Sequence, residues 1–324
     1  MASGQRMLVF EPTLTRRRLY EVTGAPLLLN FAPKIIARTA VRTRTIVEKA
    51  FIKYYKNGGL DQASVLAKAR AAPPSAYGLS IEESARLEVP LLFAVLSSSV
   101  PAAFWTLSQI HAKRDLLTEL RGEISSVISI DDNEGPPSKR FTVSIERLKT
   151  QCPLLSSVYQ EILRTRTFQS TIRMVLEDTL IDGKYLLKKN SMVLVPNNVI
   201  HASPTAWGPT ALASDFYRFM PEKAPSVKHT RQAFRSFGGA PNLCPGRHFA
   251  TTEILATLGT LLMRYDISPR KGEWRLPDSE LAVFAAISPP KWDVEVELKP
   301  RQGWQGKWVF EVGDPTVKPA LVCG

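Results

Sequence analysis

Between Glu88 and Lys113 the chain carries no formal charge: VPLLFAVLSSSVPAAFWTLSQIHA fills residues 89–112. An apolar stretch of that length folds either as a span across a bilayer or as a helix enclosed by protein. Three consecutive serines (Ser97, Ser98, Ser99), Pro90, Pro101, Gln109 and His111 interrupt it. Polar groups of that kind favour a buried core helix over one bathed in lipid. Such a helix constrains everything else, because other elements must cover it.

The flanks supply candidates for that covering. Residues 34–70 place apolar groups at helical spacing (Ile35, Ile36, Val41, Ile46, Val47, Ala50, Phe51), with Lys and Arg on the other face. A turn rich in Pro and Ser is expected at Ala71–Ser75, and I-E-E-S-A-R-L-E leads into the apolar helix. Residues 108–128 read as its end and a further amphipathic helix, and D-D-N-E-G-P-P-S (131–138) as an acidic surface loop. Ile145–Arg166 reads as two short helices joined at Cys152-Pro153.

The pattern then changes. Thr171–Leu176, Thr179–Ile181 and Met192–Val195 are β-branched, broken by turn signals at Asp182-Gly183 and Lys189-Asn190. Residues 196–236, rich in Pro, Ala and Ser, are expected to be irregular coil, and helix returns at Arg247–Arg264. W-D-V-E-V-E-L (292–298) and K-W-V-F-E-V (307–312) read as a closing hairpin. There is no internal repeat. The expected architecture is mainly α with small β-sheets, an α+β chain forming a single domain over residues 1–324.

Charge narrows the choice of partners. The net charge is +12, but basic residues are dispersed apart from runs such as Arg16-Arg17-Arg18 and Lys188-Lys189. No basic stripe interleaves with aromatics, so no nucleic acid is expected as a partner. The three cysteines, Cys152, Cys244 and Cys323, are too few and odd in number for a disulfide framework and fit a reducing or cytosol-facing setting. The N-terminus lacks the apolar core of a signal peptide.

One of those cysteines has an unusual setting, F-G-G-A-P-N-L-C-P-G-R-H-F-A from Phe237 to Ala250. Gly238 and Gly239 permit turns that side chains forbid and allow another group to approach the backbone. Cys244 stands just before a helix N-terminus, where unpaired N–H groups and the dipole favour thiolate. On the loop alone, three readings stand level: a nucleophile paired with His248 or His201, an axial ligand of a haem iron, and a buried cysteine in a tight turn. A zinc site is weaker, since C-x3-H supplies two ligands only.

The loop resembles the haem-binding loop of the cytochrome P450 family. Phe237, Gly238, Cys244, Gly246 and Ala250 match it, whereas Ala240 replaces a usual glycine and Asn242 a usual basic residue. Other family signatures stand in order. Y-Q-E-I-L-R supplies Glu161-x-x-Arg164, whose spacing places both side chains on one helix face. Arg218 in D-F-Y-R-F resembles the third member of the family's Glu–Arg–Arg network. I-H-A-S-P-T-A-W-G-P (200–209) is similar to the family's H-x-x-P-x-x-W segment. Arg173 occupies the strand position that commonly reaches a haem propionate. In the apolar helix, Pro101 cannot donate to the carbonyl of Ser97, so the helix is expected to open or kink there, and Ser98 and Ser99 stand where the family carries an acid and a threonine. V-P-A-A-F-W (100–105) is most similar to the branch holding sterol 7α-hydroxylases and prostacyclin synthase.

The resemblance spans roughly residues 12 to 310 and implies the C-terminal two-thirds of a cytochrome P450 fold. The family's membrane anchor, first small sheet and earlier haem contacts are not read, so the chain is expected to begin inside the family's middle region. The resemblance implies haem b with Cys244 as its thiolate ligand, Phe237, Gly238, Gly246 and Arg173 around it, and Ser98 and Ser99 delivering protons. It implies monooxygenation of a lipophilic sterol, terpenoid or polyketide-type molecule, in secondary metabolism, with electrons from NADPH–cytochrome P450 reductase. Two other readings stay open: a haem-thiolate isomerase or dehydratase acting without reductase, and a non-catalytic remnant with little haem binding. Full-length members sit on the endoplasmic reticulum membrane facing the cytosol. With no anchor read, this chain is expected to be cytosolic or peripherally membrane-associated.

Overall fold

The computed structural model describes residues 35, 37–131, 139–222, 232–239, 242–280, 285–314 and 317. Arg16–Arg18, most of the acidic loop at 131–138, Ala240 and Cys323 lie outside them. The chain divides into two compact units, with described residues up to Ser97 in one and those from Ser98 onward in the other.

The first unit is helical. Helix α1 (Arg38–Lys56) and α2 (Val65–Ala76) are followed by α3 (Ile81–Arg86). Ser64 caps α2 by accepting from the Ala67 N–H, and that start carries the helix through Pro73 and Pro74. The turn expected at Ala71–Ser75 is therefore the last part of a helix. Its prolines lie within the last four residues of the helix, and each leaves the carbonyl four residues back without its helical donor. Ser80 and Glu83 form a reciprocal capping box on α3.

Helix α4 (Glu88–His111) carries nearly all of the uncharged stretch, and it continues unbroken through Pro101. Its burial is uneven. From Pro101 to His111, Pro101, Ala102, Trp105, Thr106, Ser108, Ile110 and His111 are buried, whereas Leu91, Leu92 and Phe93 are half-buried and Ala94 and Val100 exposed. The expectation of a core helix holds for the C-terminal half, which the Ser98-onward unit encloses. By length and composition the helix also reaches membrane-spanning size.

In the second unit, α5 (Arg114–Ser125), α6 (Ile145–Gln151), α7 (Pro153–Arg166) and α10 (Arg247–Arg264) pack around one core that includes Trp105, Leu120, Phe141, Leu155, Val158, Leu255 and Leu258. The break between α6 and α7 falls at Cys152, with Pro153 opening the second helix as expected. Two short helices, α8 (Asn197–His201) and α9 (Pro204–Trp207), lie within what reads as coil.

The strands form small separate sheets. β1 (Ile128–Asp131) pairs antiparallel with β2 (Arg140–Ser144), β3 (Ser170–Met174) with β6 (Met192–Pro196), and β4 (Thr179–Ile181) with β5 (Tyr185–Leu187). Asp182 and Gly183 lie at positive φ (54° and 60°) in the loop of residues 182–184 that turns the last hairpin. β7 (Gly238–Gly239) pairs with β8 (Asn242–Leu243).

The tail does not fold on itself. β10 (Val296–Pro300) pairs with β9 (Tyr265–Pro269), and β11 (Lys307–Glu311) lies parallel to β2. The expected closing hairpin is thus replaced by two long-range pairings. Aromatic packing accounts for the second: Phe141 stacks against Trp308 at 4.9 Å and against Trp304 at 5.4 Å. Alternation marks both segments as strands but carries no information about which strand each will meet.

Candidate functional site

Three charged side chains from two separate stretches of the chain meet in the core of the second unit. Glu161 and Arg164 lie one turn apart on α7, and the guanidinium grips the carboxylate with both arms, Nε to Oε2 at 2.8 Å and Nη2 to Oε1 at 2.7 Å. Arg218 adds its Nε at 3.2 Å from Oε2, and the Asp215 N–H donates to Oε1 at 2.9 Å. All three side chains are buried, at 0, 1 and 8% exposure for Glu161, Arg164 and Arg218.

One carboxylate cannot neutralise two buried guanidiniums, so the remaining donors must go elsewhere. They go to backbone carbonyls of one stretch of coil. Arg164 donates to the carbonyls of His201, Ala211 and Ala213, and Arg218 to those of Trp207, Thr210 and Ala213. The Arg164 guanidinium also lies over the Trp207 ring, 5.3 Å from its centroid. The network therefore works as a clamp that fixes residues 201–218 from inside. The sequence pattern identifies its three charged members; the carbonyls that satisfy them are visible only in the fold.

The clamp continues toward the cysteine through His201. Its Nε2 accepts from the backbone N–H of Arg235 at 2.9 Å, and Asn197 Nδ2 donates to the Arg235 carbonyl at 3.1 Å. His201 is thus occupied as a positioning group rather than as the base of a thiol nucleophile. Burial, reinforced by the Arg164 charge, holds its pKa down to about 4. Neither Asn197 nor Arg235 is marked by any motif.

Two residues beyond Arg235 the chain enters the β7–β8 hairpin. The Gly238–Leu243 pair is extended by a bond from the Cys244 N–H to the Phe237 carbonyl at 2.8 Å. Gly238 sits at φ +87°, in the left-handed region, and a Cβ there would come within 3.0 Å of the Asn242 carbonyl. That position needs glycine. Cys244 emerges at the end of the hairpin, exposed, three residues before the first residue of α10. Its carbonyl accepts from the N–H and Nη1 of Arg247. A Cβ on Gly246 would meet nothing closer than the Cys244 sulfur at 3.9 Å, so the space beside the thiol is open.

The remaining expected residues are placed as follows. Phe237 is half-buried beside the core. Arg173 is exposed on β3, donating to the neighbouring Ile172 carbonyl at 2.9 Å. Ser98 and Ser99 are half-buried on α4. Cys152 is buried, its thiol pushed up to about 12 by that burial and then by Glu123, which makes it inert. Among the described residues no group of three or more His, Cys, Asp or Glu side chains is placed to share a metal ion. A cavity of about 320 Å³ opens on the flank of the clamp, lined by Thr165, Arg166, Phe168, Asn198, His201 and Ser288 among others, and not by Cys244.

Comparison with known proteins identifies the family. The family model described as cytochrome P450 matches residues 43–294. A cytochrome P450 monooxygenase of Hypoxylon pulicicidum is 33% identical over 307 residues, 92% of this chain and 59% of the relative. A cytochrome P450 monooxygenase of Gibberella zeae is 31% identical over 302 residues, 88% of this chain and 57% of the relative. A cholesterol 7-alpha-monooxygenase of Cricetulus griseus is 25% identical over 232 residues, 67% and 45% of the two chains. The chain thus spans about three-fifths of the length of the first two relatives.

Proposed function

The chain belongs to the cytochrome P450 family, and from that premise we propose that it is a haem-thiolate monooxygenase oxidising a lipophilic small molecule, in which Cys244 would hold haem b through its thiolate. The observation that carries the reading is the exposed Cys244 thiol at the end of a glycine-dependent hairpin, with open space beside Gly246. A single protein thiolate would suffice to hold a prosthetic group whose macrocycle supplies its remaining nitrogen ligands, and Cys244 offers one.

When bound, such an iron centre supplies dioxygen activation and insertion of oxygen into a C–H bond, helped by electron density from the thiolate. The chain's own residues hold and shape the site. Cys244 donates the thiolate; Gly238 and Gly246 keep the backbone on either side free of side chains. Phe237 covers the hairpin, and Arg173 offers a cation to a peripheral carboxylate. Glu161, Arg164 and Arg218 hold the coil that leads to the hairpin. Ser98 and Ser99 supply hydroxyls for moving a proton within α4. The positive net charge of +12 suits docking on the acidic surface of a flavin reductase such as NADPH–cytochrome P450 reductase. A sterol, terpenoid or polyketide-type substrate of secondary metabolism, and a cytosolic or peripheral membrane location, complete the reading.

The test is the difference spectrum of the reduced, carbon monoxide-bound protein. A Soret band characteristic of thiolate ligation, lost in Cys244→Ala, is expected. Purification without haem after haem-supplemented expression overturns the reading and leaves a non-catalytic remnant.

Hydroxyls rather than a carboxylate at Ser98 and Ser99 favour one second reading, a haem-thiolate isomerase or dehydratase with no need of external protons. Product formed without reductase and NADPH selects it; strict NADPH dependence removes it.

A further inference from the structure

The cation best placed to receive a carboxylate beside the cysteine hairpin is one that no motif marks. Arg235 stands in A-F-R-S-F-G-G, nine residues before Cys244. Its backbone is held at both ends, the N–H by His201 Nε2 and the carbonyl by Asn197 Nδ2 and the Gly238 N–H. Both of those side chains are 2% exposed, so the root of the arginine is fixed. From there the guanidinium lies across Gly239, where a Cβ would collide with it. Its Nη2 reaches Thr171 Oγ1 at 3.4 Å.

The arrangement is incomplete as it stands. Arg235 Nε is enclosed with no hydrogen-bond partner. Among the described residues, none of the ion pairs includes Arg235 or Arg173. A half-buried guanidinium with an unsatisfied N–H and no counter-charge is costly unless an anion completes it. Arg173 projects from the same face of β3 as Thr171, two residues away. Planar guanidinium forks match the geometry of carboxylates. Meanwhile Asn242, within the hairpin itself, carries no charge.

We infer that Arg235 binds a carboxylate side chain of the macrocycle held by Cys244, supplying from the approach to the hairpin the cation that Asn242 does not. The inference rests on the haem-thiolate reading. It assigns Gly239 a purpose as well: this position stays without a side chain so that the guanidinium can lie over the hairpin.

The experiment titrates the haem-free 324-residue chain with haem and with haem dimethyl ester, following the Soret band. Arg235→Gln is expected to weaken haem binding about tenfold, the scale of one charge-assisted hydrogen bond, and to leave ester binding unchanged. Arg235→Lys should restore part of the difference. Gly239→Ala, which displaces the guanidinium without removing it, should likewise weaken haem and spare the ester. Equal losses for both porphyrins, or none for either, overturn the Arg235 assignment while a wild-type thiolate Soret band leaves the family reading intact. A wild-type chain that takes up neither porphyrin overturns both.

Discussion

The backbone N–H of Arg235 donates to Nε2 of His201 at 2.9 Å. An imidazole nitrogen that accepts a hydrogen bond carries no proton, so the link exists only while His201 is neutral. Burial and the Arg164 charge enforce that state, lowering the pKa from 6.5 to about 4. Because the folded value lies below the unfolded one, the unfolded chain binds the extra proton between pH 6.5 and 4. Stability present above pH 6.5 is therefore lost as pH falls, by about 3 kcal/mol across that window. In His201→Gln, whose amide oxygen can still accept, this acid-side loss should vanish. Urea midpoints of the two proteins from pH 7 to pH 4 measure it. His111, held down by burial, and Glu123, held up, titrate in both proteins and cancel in the difference.

Removing the Glu161 carboxylate should be among the most damaging single changes. Glu161→Gln leaves Arg164 and Arg218 buried together with no counter-charge. Breaking a buried ion pair in this way costs about 3–5 kcal/mol. Urea unfolding should show a loss of that size or no folded protein. A variant as stable as wild type would mean that the coil carbonyls alone satisfy both guanidiniums.

Helix α7 depends on a cap from outside itself. Cys152 makes no side-chain cap, and Glu123 on α5 fills the role, Oε1 accepting from the Leu154 N–H at 2.7 Å and Oε2 from the Leu155 N–H at 2.9 Å. Glu123→Ala should cost about 1–2 kcal/mol, and Glu123→Gln, which keeps one acceptor, less. The same urea series measures both.

The two described thiols should differ sharply toward iodoacetamide. Cys244 is exposed, whereas Cys152 is buried with its pKa pushed up to about 12. In a Cys323→Ser background, peptide mapping of the haem-free chain should find Cys244 alkylated first and Cys152 only after unfolding. Bound haem should protect Cys244 and leave Cys152 unaffected. Protection of Cys244 in the haem-free chain would contradict its exposure.

Much of the local structure could be read in advance. The helix expected at Arg247–Arg264 occupies those residues, and the helix break expected at Cys152-Pro153 occurs there. So does the turn at Asp182-Gly183. These depend on neighbours a few residues apart: an amphipathic period, a missing N–H, a positive φ. Glu161 and Arg164 belong to the same class, since one turn of helix brings them together wherever the helix lies.

What the sequence determined by itself was therefore the longer helices, most of the strands and the pattern Glu161-x-x-Arg164, Arg218, Cys244, which placed the chain in its family. Tertiary structure decided the rest. Trp304 and Trp308 drew the last strand to β2 because Phe141 offered a surface for stacking. Prolines 73 and 74 lie inside the helix that Ser64 caps, although they read as a turn. The cap from Glu123 and the His201–Arg235 link join groups separated by 31 and 34 residues. A hydrogen bond needs its donor and acceptor within about 3 Å, and no spacing along a chain encodes that distance. Only the packed core brings such atoms together.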